Sequence, residues 1–177
     1  MRGLQDAGFT AYVVGGAVRD LLLGQRPKDF DVATNATPEQ IRQCFRNARI
    51  IGRRFQIVHV RSGGEIIEVT TFRGNHAAAQ AGQHSKASES GRLLRDNVYG
   101  TLEEDALRRD LTINALYYDT SSNTLIDQLN GAADIAARMI RVIGVPEERY
   151  REDPVRMLRV LRFSARLQFD LAADTET

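Results

Sequence analysis

The sequence predicts an α+β fold: a domain with a mixed β-sheet and flanking helices over residues 1–144, then a helical segment over residues 145–177. Short β-branched runs and short helical patterns follow one another without the strict strand–helix alternation of a parallel sheet. Glycine pairs, Gly15-Gly16 and Gly63-Gly64, punctuate the first part, and from Pro146 onward the pattern is helical. With 177 residues, 42% hydrophobic and 27% charged, the chain is long enough for one full domain and the beginning of a second.

In order along the chain, residues 11–14 read as a buried strand closed by Gly15-Gly16, and residues 17–23 as a helix that Gly24 stops. Residues 30–33 read as a second strand. Thr37, with Pro38 at the first helical position and Gln40 three residues on, opens a helix to about residue 45. Strands are expected at 49–51, 56–61 and 65–71, the last two joined by Ser62-Gly63-Gly64. Residues 74–91 are rich in Ala, Gly, Ser, Gln and His without period, and read as a long functional or mobile loop. Thr101 and Glu104 form a second capping box, opening a helix to about residue 109. Strands near 114–118 and 124–126, a short helix from 132 and a strand at 139–143 follow. A helical turn at 146–150 and a longer helix at 154–167 complete the reading.

The charge total is near neutral, 24 Lys+Arg against 23 Asp+Glu, which excludes a simple polyanion-coating module. Only Lys28 and Lys86 are lysines, so the cations are almost all arginine, suited to bidentate phosphate and base-edge contacts. From Arg138 to Arg166 eight arginines stand against four acids. That excess keeps a nucleotide or nucleic-acid partner open. No apolar run approaches the roughly 20 residues of a membrane span, and the N-terminus has no signal-type apolar region. With Cys44 alone there is no disulfide framework, and the expected compartment is the cytoplasm.

Four clusters carry chemistry. In Lys28-Asp29-Phe30-Asp31 the two acids are expected on one side of a strand, roughly 7 Å apart at Cα, with Phe30 turned into the core. Such oxygen pairs hold Mg²⁺ completed by substrate phosphates, although an isolated pair is more often two solvated carboxylates. Gly15-Gly16 opens a helix whose N–H groups can meet phosphate, with Arg19 one turn in. Asp110, in Arg108-Arg109-Asp110-Leu111-Thr112-Ile113-Asn114, sits at a helix C-terminus where the dipole disfavours an anion, so a compensating partner is expected. The plain alternative there is an Asp105–Arg109 surface pair. Asp153 precedes Pro154 as an N-cap. Arg156, Arg159, Arg162 and Arg166 share an arc of about 120°. Val155, Leu158 and Leu161 are expected to pack on another face. A solvated stripe is the ordinary reading, while a capping Asp and an Arg three residues on could also meet a base edge.

These motifs, G-G-A-V-R-D, K-D-F-D, R-R-D-L-T-I-N-A and E-D-P-V-R-M-L-R in that order, resemble the class II nucleotidyltransferases of the polymerase-beta superfamily. That group comprises bacterial poly(A) polymerases and CCA-adding tRNA nucleotidyltransferases, and the resemblance runs from about Tyr12 to Arg166. It implies a nucleotidyltransferase head over residues 1–144 and the start of a helical neck over 145–177. It implies that Asp29 and Asp31 bind two Mg²⁺ ions, with Mn²⁺ as a substitute, and that Gly15, Gly16 and Arg19 hold the triphosphate. Arg109 and Asn114 would lie near the nucleotide, Asp110 would serve as a third catalytic acid, and Asp153, Arg156 and Arg159 would read the base.

The segments Ile50 to Val60, Leu93 to Gly100 and Glu147 to Asp153 resemble the poly(A) side of the group. The expected reaction is template-independent transfer of AMP from ATP to RNA 3′ ends. CCA addition to tRNA is the enzyme alternative, and an RNA-binding module with a vestigial site the non-enzyme one. The latter predicts loss of an acid of the pair, and both are present. The family continues into further helical and RNA-binding parts, so the expectation for this chain is nucleotide binding without processive extension.

Overall fold

The computed structural model describes residues 1–52, 56–74, 85–87, 93–96 and 98–175. Most of the expected loop at 74–91, the stretch 53–55 and Asn97 therefore lie outside the described residues. The strands are β1 (Ala11–Val14), β2 (Asp31–Thr34), β3 (Ala48–Ile51), β4 (Ile57–Ser62), β5 (Glu65–Thr71), β6 (Ser85–Ala87), β7 (Leu93–Asp96), β8 (Leu116–Asp119), β9 (Thr124–Asp127), β10 (Met139–Ile140) and β11 (Asp170–Leu171). The helices are α1 (Arg2–Asp6), α2 (Gly16–Leu22), α3 (Pro38–Cys44), α4 (Leu102–Leu107), α5 (Gly131–Ala136), α6 (Pro146–Glu152) and α7 (Val155–Leu167). None is long and apolar enough to cross a membrane.

Seven strands form one mixed sheet in the order β3-β4-β5-β2-β1-β8-β9. The β2–β5 pair is parallel and the other neighbours are antiparallel. Alternation sends Val32, Val58, Val60 and Val69 to one face, where Leu4 of α1 and Ile41 of α3 cover them. Val14, Ala33 and Tyr117 point to the other face and meet Phe72 and Ala106 of α4. Full burial of side chains of this size stabilises by roughly 1.5–3 kcal/mol each. Both expected capping boxes form, at Thr37 with Gln40 and at Thr101 with Glu104.

A third cluster joins Ala17 and Val18 of α2 to Leu111, Ile113, Ile135 and Ile140, and also takes in Val160, Leu167 and Phe169. The helical segment thus packs on the sheet domain through a shared core. Expected strand 114–118 is in part a 3₁₀ turn, Thr112–Asn114, before β8 begins. Close packing sets that turn: a Cβ on Gly131 of α5 would collide with the Thr112 carbonyl, and the Thr112 hydroxyl donates to Asp134 at 2.7 Å. Expected strand 139–143 shortens to β10, which pairs in parallel with β11. Val142 bridges instead to Leu111.

Candidate active site

β1 ends at Val14, whose antiparallel partner is Asp31 at the start of β2. Gly15-Gly16 follows Val14 directly, so the turn lies beside Asp31. Gly15 has φ +74°, a conformation that disfavours any residue with a Cβ. It caps α2, whose first N–H groups have no helical acceptor. On its other side β2 runs parallel to β5, and that register sets Glu68 next to Asp31. Glu68 faces His59 of β4, with Nε2 and Oε1 3.5 Å apart. His59 faces Arg49 of β3. One row of neighbours crosses the sheet: Arg49, His59, Glu68, Asp31, Val14 and Tyr117.

Asp29 and Phe30 stand before the strand, and Phe30 is 37% exposed. The expectation of Phe30 in the core is therefore corrected: pairing begins only at Asp31, and alternation cannot be counted back beyond it. Asp29 still acts on Asp31. The Asp31 carboxyl is pushed above its usual range, by burial first, then by Glu68 and Asp29, while Arg109 pulls the other way. Among the described residues no three His, Cys, Asp or Glu side chains close around one point. Oxygen donors gathered without a complete cage fit a hard divalent ion that keeps waters and takes further ligands from a substrate.

Arg19 is only 3% exposed and is held from several directions. Its Nε and Nη2 donate to Asp20 Oδ1 at 2.9 and 2.6 Å, and its Nη1 to Asn114 Oδ1 at 2.6 Å. The guanidinium lies 4.9 Å from the centroid of the Phe163 ring on α7. Asn114 donates in turn to Asp110 Oδ1 at 3.3 Å. Asp110 Oδ1 also accepts from the Leu111 N–H at 2.8 Å, and Oδ2 from Arg159 Nε at 2.6 Å. Asp110 does have a compensating cation, but it is Arg159 of α7 rather than a metal or one of the arginines next to it in sequence. Three donors occupy Asp110, and the acid set beside Asp31 is Glu68. Sequence reading misses Glu68. The available signal is an acid inside a β-branched run, on the opposite side to buried Val69.

Arg109 pairs with Asp105 at helical spacing, Nη2 to Oδ2 2.9 Å, but Asp105 is buried, so this is not the surface pair the spacing suggested. Arg109 Nε donates to the Tyr117 hydroxyl at 3.0 Å. That hydroxyl donates to Asp105 Oδ2 at 2.7 Å. Burial alone would lower the Arg109 pKa, but Asp105 and then Tyr117 outweigh it and the pKa rises. The Tyr117 hydroxyl is pushed up, by burial first.

Asp153 ends α6, and its Oδ1 accepts from the Val155 N–H at 3.2 Å, one residue further from the helix than an ordinary N-cap. Arg156 donates to the Arg109 carbonyl at 3.3 Å, while its Nε is buried without a partner. Burial, then Arg149, pushes the Arg156 pKa down. Arg149 Nη2 donates to the carbonyls of Leu107, Arg108 and Arg109 at the C-terminal end of α4. Arg159 reaches Asp110 and Arg166 lies 3.8 Å from Asp20, so the exposed arginine stripe also touches the sheet domain. Val155, Leu158 and Leu161 are the exposed side, at 55%, 68% and 59%, which corrects the expectation that they pack. The helix buries Val160 and Leu167 in the shared core and leaves these three apolar residues on its other side.

The chain matches the model of the poly A polymerase head domain over residues 11–141. It is 56% identical to Poly(A) polymerase I of Salmonella typhimurium over 97% of this chain and 37% of that protein. Identity to the CCA-adding enzyme of Staphylococcus aureus is 41%, over 97% of this chain and 40% of that protein. The crystal structure of the Bacillus stearothermophilus CCA-adding enzyme in complex with CTP is similar at a TM-score of 0.82 and 40% identity, over 99% of this chain and 40% of that one. The chain spans about two-fifths of the length of these relatives.

Proposed function

The chain belongs to the poly A polymerase head-domain family, and from that premise we propose that it carries the catalytic part of a template-independent RNA nucleotidyltransferase. The reaction adds AMP from ATP to RNA 3′ ends in the cytoplasm. The observation that carries this reading is the identity of 56% to a poly(A) polymerase against 41% to a CCA-adding enzyme over the same share of the chain. Residues 1–144 act as the head and 145–177 as the beginning of a neck.

The acceptor 3′-oxygen bonds to the α-phosphorus, the α–β bridging bond breaks, and pyrophosphate leaves. Asp29 and Asp31, with Glu68 beside Asp31, would supply oxygen ligands to Mg²⁺, two ions in all, or to Mn²⁺ in its place, the rest of each shell coming from water and substrate. When bound, such ions lower the pKa of the attacking hydroxyl and offset charge on the leaving oxygens. The Gly15 N–H donates to the Leu116 carbonyl at 3.0 Å, so the N–H of Gly16 at the start of α2 faces the triphosphate, with Arg19 close beneath. Arg109 and Asn114 fix the far side of that pocket. Asp110 acts as a positioning residue, orienting Asn114 and Arg159. Asp153 offers an acceptor and Arg156 a donor to the base edge, and the unpartnered Nε of Arg156 has capacity for it.

The test is incorporation with each NTP separately, in a polypeptide that carries this chain at the length of its curated relatives. ATP alone is expected to extend the RNA, and Asp29→Ala or Asp31→Ala to retain less than a tenth of the activity. A product that requires CTP as well as ATP would transfer the reading to CCA addition. No incorporation by the unmutated protein would end it.

A further inference from the structure

Beyond Glu68 the sheet row continues away from the Gly15-Gly16 turn. It ends at a cavity of about 440 Å³ lined by Arg46, Asn47, Arg49, His59, Arg61 and Ile66, among others. Arg46, Arg49 and Arg61 are exposed, and none makes an ion pair or hydrogen bond with a described residue. Every arginine around the Gly15-Gly16 turn, by contrast, is engaged. Ile51 and Ile66, at 42% and 49% exposed, supply an apolar floor beside the cations. The one ring among these lining residues is the imidazole of His59, which faces Glu68 across the β4–β5 pair.

We propose that this cavity holds the sugar–phosphate backbone of the acceptor RNA and guides its 3′ end along the row to Asp31. The proposal rests on the reading of Asp31 as the transfer site. In phosphoryl transfer the attacking and leaving oxygens lie roughly in line across phosphorus. If the triphosphate occupies the Gly15-Gly16 turn, pyrophosphate leaves on the β1 side of Asp31. The attacking oxygen then arrives from the opposite side, over β5, β4 and β3. Three strand spacings of roughly 4.8 Å put the Arg49 position about 14 Å from Asp31, within reach of one bound strand. Planar, unpaired guanidinium groups match phosphodiester oxygens. Their contacts position a strand without reading its sequence.

The probe is a short 5′-labelled oligoadenylate titrated into the 177-residue chain at several salt concentrations. Arg49→Ala/Arg61→Ala is expected to weaken binding about tenfold at low salt and to flatten the log–log salt dependence by about 1.4, two contacts at roughly 0.7 each. Arg49→Lys/Arg61→Lys keeps the charge and is expected to keep the slope. ATP binding, followed by equilibrium dialysis, is expected to stay unchanged in both. An RNA affinity and slope that do not move would overturn the proposal. So would a parallel loss of ATP affinity, or displacement of the RNA by inorganic pyrophosphate at matched phosphate concentration, since either would make this a free-phosphate site. If nucleotide incorporation fails while the slope still falls, the groove stands and the proposed reaction does not.

Discussion

Two arginine-rich regions flank Asp31, and they are built in opposite ways. Around the Gly15-Gly16 turn Arg19, Arg109 and Arg159 are locked by Asp20, Asn114, Asp105 and Asp110. At the β3–β4 edge Arg46, Arg49 and Arg61 stand free among the described residues. A locked cation presents one geometry and suits a small ligand whose every atom must be placed for reaction. A free cation keeps its rotamers and suits a polymer that binds in many registers. Under the proposed reading, the difference would separate the part of the molecule that does the chemistry from the part that feeds it.

The largest test of this comparison is Arg19→Ala. Removing a buried guanidinium leaves Asp20 and Asn114 facing a void, and breaking buried pairs of this kind costs about 3–5 kcal/mol. Arg166, 3.8 Å from Asp20, offsets some of it, so about 3 kcal/mol is expected from urea unfolding. A loss below about 1 kcal/mol would mean that the locked side is not locked.

Asp31→Asn probes the boundary and acts in the other direction. A raised folded-state pKa favours the protonated carboxyl, so its stabilising contribution is present below the unfolded pKa and lost as pH rises through the folded one. At neutral pH the ionised carboxylate is therefore a liability, relieved by the amide. The variant is expected to unfold at a slightly higher temperature at pH 7. The gain stays below about 1 kcal/mol because Asp31 is only partly withdrawn from water, which screens its charge, and it shrinks as pH falls into the acid range. Equal stability at both pH values would remove the like-charge account of Asp31. Smallest is Arg49→Ala/Arg61→Ala, expected to stay within about 0.5 kcal/mol of the parent in urea unfolding. A larger loss would show that these side chains have a packing role, and the contrast between the two regions would blur.

What was legible in the sequence was local. The boxes at Thr37 and Thr101 and the Asp105–Arg109 pair depend on residues three or four apart, so spacing alone suffices. The order of the motifs carried the family. Phe30 was misplaced because the start of β2 is decided by β1 and β5, not by its own residues. Glu68 was missed for the same reason, since its closeness to Asp31 is a matter of register between strands distant in the chain. The partners of the α7 arginines lie in α2 and beyond α4, so helical spacing alone could not identify which side is covered.

The parallel β2–β5 pair also bears on when the site comes into being. β3, β4 and β5 are antiparallel in sequence order, as are β8 and β9, so both groups can form as hairpins from nearby residues. A parallel partner requires a crossover, and long-range pairings form late and slowly. β2 cannot meet β5 until α3, β3 and β4 have been laid down, and β1 waits longer for β8. A growing chain leaving the ribosome thus has its β3–β4 arginines in place before its acids have come together. If the proposed groove is right, it would hold on to a strand of RNA before it is able to change one.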